Sequence, residues 1–136
     1  MKRLAGGASL LLLLLAAVPA RAEPSAPLQD CLNHVIDNEH ASRWPAVTFC
    51  YDNELSAQER RLDDAWRALE TRKLAPSSLA QIADSRRQWT AWRDSWCAFE
   101  QDYAIAPTAN IARLSCRIDV TKSQLGRVTE MTAAAR

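Results

Sequence analysis

Glycine and histidine are scarce in this sequence, and neither supports a catalytic or metal-binding motif. The 136 residues contain three glycines and two histidines, with no glycine-rich phosphate-binding loop, haem-attachment signature or Ser/His/Asp order of a nucleophilic hydrolase. His34 and His40 do not share one helical face, and no two cysteines show the C-x2-4-C spacing usual in zinc sites. We therefore expect a protein that is not an enzyme, with no metal and no cofactor.

A long apolar stretch occurs once, near the start, and it is too short to cross a membrane. Residues 10–18 are wholly apolar, whereas a transmembrane helix needs about 20 apolar residues. Two basic residues precede the stretch and Ala-Arg-Ala at 20–22 follows it, which is typical of a secretory signal peptide, residues 1–22. We expect cleavage after Ala22 and a single periplasmic or secreted domain over residues 23–136. We expect no membrane anchor, because no cysteine stands directly after the cleavage site for lipid attachment.

The mature chain also lacks an excess of positive charge. Removing the three basic residues of the predicted signal peptide from the total of 17 leaves 14 against 16 acidic residues, a formal net charge of −2. Nucleic acids and anionic membranes both require a concentrated positive patch on their protein partner. The composition therefore predicts no nucleic-acid partner.

Four cysteines are present, all in the predicted mature domain: Cys31, Cys50, Cys97 and Cys116. An even number in an exported chain predicts two disulfides, for which three pairings are possible. The separations 31–50 and 97–116 are both 19 residues, which favours two consecutive links.

Apolar residues recur at helical spacing through most of the chain. A short helix is predicted over residues 28–36, followed by a loop over residues 42–53, because Pro45 disfavours helical geometry in the residue before it. Three longer helices follow: from a capping box at Ser56, over 78–103, and from Thr108 or Asn110 onward. No segment has the pattern of a strand, so the sequence predicts an all-α fold, a small bundle of about four helices held by two disulfides.

The third predicted helix carries three of the five tryptophans. Trp89 and Trp96 lie on one stripe with Ile82, so we expect them to pack in the core. The alternative is a platform of exposed rings that stacks on sugars. Trp92 lies to one side of the stripe, with Phe99 near it, and the sequence pattern does not decide whether its ring is buried or exposed.

Arg86 and Arg93 lie on the same stripe, which is unusual for arginine. Each is expected to form an internal ion pair between helices, since a buried guanidinium requires carboxylate or carbonyl partners; the alternative is an exposed contact for an acidic partner. The adjacent Asp94 is expected to point elsewhere on the helix. The candidate acids are Glu54, Asp64 and Asp119.

Three segments resemble a known family of exported bacterial domains. "CYDNELSAQERRLDDAWRAL" (50–69) is similar to the Cys-x-x-x-Glu-Leu opening of the LprI-like lysozyme-inhibitor family. "WTAWRDSWC" (89–97) resembles its Trp-x-x-aromatic-Arg-Asp-x-x-Cys signature, which includes Trp89, Arg93, Asp94 and Trp96, and "CRIDVT" (116–121) resembles its closing Cys-x4-Thr. The resemblance implies a small helical domain and, for one branch of the family, inhibition of lysozyme.

Inhibition of lysozyme by binding requires contact with a cleft that holds two carboxylates, usually by a rigid projecting loop. The segment 98–115 is the first candidate for that loop, with Tyr103, Asn110 and Arg113 as hydrogen-bond donors. The second is 40–49, where Arg43 and Trp44 are the candidate anchors. We therefore expect an envelope binding protein whose partner is lysozyme or another envelope or secreted protein. The alternative is a periplasmic protein that binds another ligand, a cell-wall fragment or a secreted toxin, with no inhibition of lysozyme.

Overall fold

The fold is taken from a computed structural model that describes residues 25–37, 43–105 and 107–135. These residues form four helices and no strand: α1 (Ala26–Asp37), α2 (Arg43–Glu70), α3 (Pro76–Tyr103) and α4 (Ala109–Ala134). The predicted all-α fold, with three long helices and a shorter first one, is confirmed. The predicted signal peptide and its cleavage site at Ala22 lie outside the described residues.

The start of α2 differs from the prediction. The loop expected over residues 42–53 was wrong, because α2 is already helical from Arg43. Pro45 is the third residue of this helix, where the backbone N–H that proline lacks would have no acceptor within the helix. Ser56, the predicted start, therefore lies inside α2.

The two later helices begin close to the predicted positions, but without the predicted side-chain caps. Pro76 occupies the first turn of α3, a position that suits its fixed φ angle, so the helix starts before Ser78 and ends at Tyr103 as expected. Thr108 is the N-cap residue of α4, but its hydroxyl accepts no hydrogen bond from the first turn of the helix and donates instead to the carbonyl oxygen of Ile105 at 2.7 Å.

The core lies along α4, which packs against both α2 and α3, while α1 packs against α2. One cluster joins Leu62, Trp66 and Leu69 of α2 to Val128 of α4, and half-buried Trp89 packs against it from α3. A second cluster comprises Leu55, Leu114 and Ile118. Because α2 and α3 each have more close backbone contacts with α4 than with each other, α4 is the helix that holds the long elements together.

Both predicted disulfides are present. Cys31–Cys50 joins α1 to α2, and Cys97–Cys116 joins α3 to α4, with Cα–Cα distances of 5.8 and 5.5 Å. The second bond is one of the main attachments of α3, because Cys97 and Arg93 are the two buried residues of this 28-residue helix. Within the described ranges, no helix is long and apolar enough to span a bilayer.

Candidate functional site

Arg93 is the centre of an ionic network that joins the three long helices. Its side chain is about 5% exposed, and its Nη1 contacts a carboxylate oxygen of Glu59 from α2 at 3.0 Å and the hydroxyl of Thr121 from α4 at 3.2 Å. Its Nε and Nη2 both donate to Asp94 at 2.9 Å. Arg117 of α4 donates to Glu59 at 2.9 Å and completes the network.

The internal role predicted for Arg93 agrees with its burial, but the predicted partners were wrong. Glu59 and Asp94 hold the guanidinium, in place of the three candidates Glu54, Asp64 and Asp119. Asp94 is exposed whereas Arg93 is buried, so the two residues point in different directions as expected, and the long arginine side chain turns its guanidinium towards Asp94. The same guanidinium lies over the ring of Trp89, 5.2 Å from its centroid.

Arg86 of α3 also links this helix to α2, in a more exposed position than Arg93. It donates to Asp63 of α2 at 2.6 Å, again not to one of the three predicted acids, and both side chains are more than one-third exposed. Exposed ion pairs contribute little to stability. This pair therefore bridges the groove between α2 and α3 without holding the helices together.

Glu54 is buried on α2, near the first disulfide. It accepts a hydrogen bond from Gln58 at 2.8 Å, and the ammonium group of Lys122 lies 3.5 Å away. Burial by itself would raise the pKa of Glu54, but hydrogen bonds from Ser25, Gln58 and Lys122, with the positive charge of Lys122, together lower this pKa below its ordinary value of 4.5. Glu54 is therefore an anionic anchor between α2, α4 and the start of α1.

Replacing Glu54 with glutamine is expected to destabilise the domain in a pH-dependent way. Because the folded-state pKa is lowered, the stabilising effect is fully present above the unfolded-state pKa and is lost as the pH falls through the folded-state pKa. We expect Glu54→Gln to lower the free energy of unfolding by about 1–2 kcal/mol at pH 7, and by less at pH 3. Urea unfolding at both pH values measures this difference, with exposed Glu130→Gln as the control; an equal loss at both pH values would contradict the assignment.

Four aromatic side chains form a row on the outer surface of α3. Trp92, Trp96, Phe99 and Tyr103 are 52, 47, 49 and 77% exposed, and we call them the aromatic row. The expectation that Trp96 packs in the core was therefore wrong. On a helix with about 100° between residues, Trp96 lies about 60° from Arg93, and the buried line of α3 passes through Arg93 and Cys97 instead.

The rings of the aromatic row contact one another in sequence. The ring centroids of Trp92 and Trp96 are 6.4 Å apart, those of Trp96 and Phe99 5.7 Å, and those of Phe99 and Tyr103 4.7 Å. The angles between successive ring planes increase from 16° to 36° and 54°. The row is therefore continuous but not flat.

The surroundings of the aromatic row are acidic. Glu100 accepts a hydrogen bond from the indole N–H of Trp96 at 2.8 Å, and Asp102 is exposed on the same helix. Beside the row, a hollow of about 270 Å³ between α3 and α4 is lined by Glu100 and Asp119. At the other end, Arg127 lines a separate hollow with Trp92.

The two candidate loops are largely helical. In the segment 98–115, residues up to Tyr103 belong to α3 and residues from Ala109 belong to α4. Tyr103 contacts Phe99 of the aromatic row, whereas Arg113 donates to Asn110 within α4 at 3.2 Å. The structure thus places Tyr103 in one group and Asn110 with Arg113 in another.

Arg43 and Trp44, the second candidate pair, lie in the first turn of α2, and both are exposed. They are presented by a helix and not by the predicted loop. Phe99 was missing from the predicted binding residues and Trp92 was left open. The spacing 92, 96, 99 and 103 places all four rings on one face, but it does not show whether another helix covers that face.

These features define the protein as a small disulfide-bonded helical domain with an exposed aromatic surface. A family model described as "Lysozyme inhibitor LprI" matches residues 37–127. The chain belongs to the LprI lysozyme-inhibitor family, and the resemblance in the sequence is confirmed. No curated protein and no solved structure matches the chain.

Proposed function

We propose that the protein is an exported binding protein of the bacterial envelope that inhibits lysozyme through the aromatic row. Membership of the family supports the target, and the predicted signal peptide supports export. The observation that carries the binding role is the exposure of four adjoining aromatic side chains on one helix face. Contiguous exposed apolar surface of this kind marks interaction sites, and tryptophan and tyrosine are enriched among residues that dominate binding energies.

The support beneath the aromatic row suits an inhibitor that binds without rearrangement. The row alternates along α3 with Arg93 and Cys97, which are fixed to α2 and α4 by the ionic network and to α4 by the second disulfide. A surface that is already ordered loses less conformational entropy on binding. In this proposal the rings cover the rim of the lysozyme cleft, and the enzyme is inhibited by exclusion of its substrate.

The first test measures lysozyme binding and inhibition with the oxidised mature domain, residues 23–136. We expect the domain to inhibit the lysis of lysozyme-sensitive cells. We expect Trp96→Ala/Phe99→Ala to raise the dissociation constant for lysozyme about 100-fold, since the two central rings together contribute about 3 kcal/mol to binding. Phe49→Ala is the matched control, because Phe49 is an exposed ring on α2, outside the row. Isothermal titration gives the affinities and circular dichroism checks the fold.

Variants of the other predicted binding residues test whether lysozyme binds elsewhere on the domain. Asn110→Ala/Arg113→Ala and Arg43→Ala/Trp44→Ala are expected to change the affinity less than threefold. If one of these pairs abolished binding while the ring variant bound normally, the binding surface would lie there and not on the aromatic row. Absence of both inhibition and a complex at high micromolar concentration would refute the lysozyme target and favour the alternative ligand.

A further inference from the structure

We infer that the aromatic row recognises a cationic protein surface, and that lysine or arginine side chains of the partner lie against its rings between flanking carboxylates. This inference rests on the proposed function and names the chemistry of its partner. The starting observation is an asymmetry of charge. Glu100 and Asp102 are exposed, residues 95–105 of the sequence include no basic residue, and Asp94 is already paired with the buried Arg93.

The carboxylates stand on both sides of the aromatic row. With about 100° between residues, Glu100 and Asp102 project about 80° to either side of the line through the four rings. Asp119 of α4 shares the neighbouring hollow with Glu100. A cationic side chain that approaches Trp96 or Phe99 thus meets a ring face and a carboxylate together, and cation–π and ionic attraction act in the same place.

The protein already contains this arrangement in its interior. The guanidinium of Arg93 lies over the ring of Trp89 while Asp94 and Glu59 accept its hydrogen bonds. At the surface, the aromatic row with Glu100 and Asp102 supplies the rings and the carboxylates. A basic partner supplies the cation.

Two other occupants suit this surface less well. A polysaccharide stacks best on rings that lie in similar planes, whereas Trp96 and Phe99 are tilted by 36° and Phe99 and Tyr103 by 54°. A second copy of this chain that packed its row directly against this one would bring the exposed acids Glu100 and Asp102 of both copies close together, and like charges repel. Arg127 lies beside Trp92, so the cationic contact is expected at Trp96, Phe99 and Tyr103.

The test neutralises the acids without changing their shape. Glu100→Gln/Asp102→Asn is expected to slow association with lysozyme about tenfold at low salt and to weaken the salt dependence, because charges at the rim of an interface act chiefly on the association rate. The ring variant Trp96→Ala/Phe99→Ala is expected to act chiefly on dissociation. Asp84→Asn/Glu130→Gln, at exposed acids outside the row, is the matched control, and surface plasmon resonance measures both rates.

A second probe separates this inference from the lysozyme target. An immobilised oligo-arginine peptide is expected to retain the wild-type domain more strongly than the acid or ring variants, and an oligo-glutamate peptide is expected not to retain it. Retention on oligo-arginine without lysozyme binding would support the cationic partner and refute the lysozyme target. Lysozyme binding that is unaffected by Glu100→Gln/Asp102→Asn would overturn the inference and leave the target standing. Ring-dependent binding of soluble cell-wall fragments with no retention on oligo-arginine would also overturn it.

Discussion

Replacing Asp94 with alanine is expected to lower the free energy of unfolding by about 3 kcal/mol, because the variant leaves a buried guanidinium with unpaired donors. Asp94 accepts from both Nε and Nη2 of Arg93, and Glu59 and Thr121 contact only Nη1. Replacing Arg93 with methionine removes the buried charge itself and keeps an apolar chain of similar length. We expect that variant to lose only about 1–2 kcal/mol.

This order is unusual, because replacing the half-exposed Asp94 is expected to destabilise the domain more than replacing the buried Arg93. The double variant Arg93→Met/Asp94→Ala is expected to lose little more than Arg93→Met alone, because the contact that Asp94 retains, 3.4 Å from Nε of Arg117, joins two partly exposed groups. Asp84→Ala is the control: Asp84 pairs with Arg87 in the same helix, both exposed, and its loss should cost no more than about 0.5 kcal/mol. Urea unfolding followed by circular dichroism ranks the variants. A larger loss for Arg93→Met than for Asp94→Ala would show that the network contributes net stability beyond satisfying its own buried charge.

Removing the second disulfide is the other change with a large expected effect. Cys97→Ser/Cys116→Ser opens a loop of 19 residues, which corresponds to about 3 kcal/mol in the chain-entropy model. The serine at position 97 also adds a buried hydroxyl, since Cys97 is completely inaccessible. Because Cys97 and Arg93 are the two fully buried residues of α3, we expect α3 to detach from α4 at a lower temperature than the remaining core unfolds.

The first disulfide gives a closely matched comparison. Cys31–Cys50 has the same separation of 19 residues, so the entropic effect of Cys31→Ser/Cys50→Ser is expected to be equal. It fixes the 12-residue α1, however, whose one fully buried residue is Leu28. We expect this variant to keep normal hydrogen-exchange protection in α2, α3 and α4, whereas the Cys97→Ser/Cys116→Ser variant loses protection in α3. Equal loss of protection in α3 in both variants would contradict the assigned role of the second bond.

Much of the fold was predictable from local patterns. The periodicity of Leu114, Ile118, Thr121 and Val128 identified the buried face of α4, and the two equal cysteine separations indicated the pairing. The start of α2 was not predicted, because the effect of Pro45 depends on whether it falls in the first turn of a helix or in its interior. That position is set by the residues before it and not by the proline alone.

The candidate site was harder to predict than the helices. Spacing grouped Trp96 with Trp89 on one broad stripe, but the packed line of α3 is narrow, because among the described helices its backbone lies closest to α4. Whether a second apolar face is covered depends on how many helices surround it, which is a tertiary property. The partners of Arg93 were missed for a related reason, since Glu59 reaches it from another helix and the arginine side chain is long and flexible.

The consecutive pairing of the cysteines also determines the order in which the chain can be oxidised. When the N-terminal part of the chain folds first, each unpaired cysteine pairs with the next cysteine in the sequence. Neither disulfide then requires the reduction of an earlier one. The second link joins α3 to α4, the helix on which both α2 and α3 pack. Each covalent link therefore joins helices that are neighbours in the chain, and the later of the two links fixes the helix that organises the core.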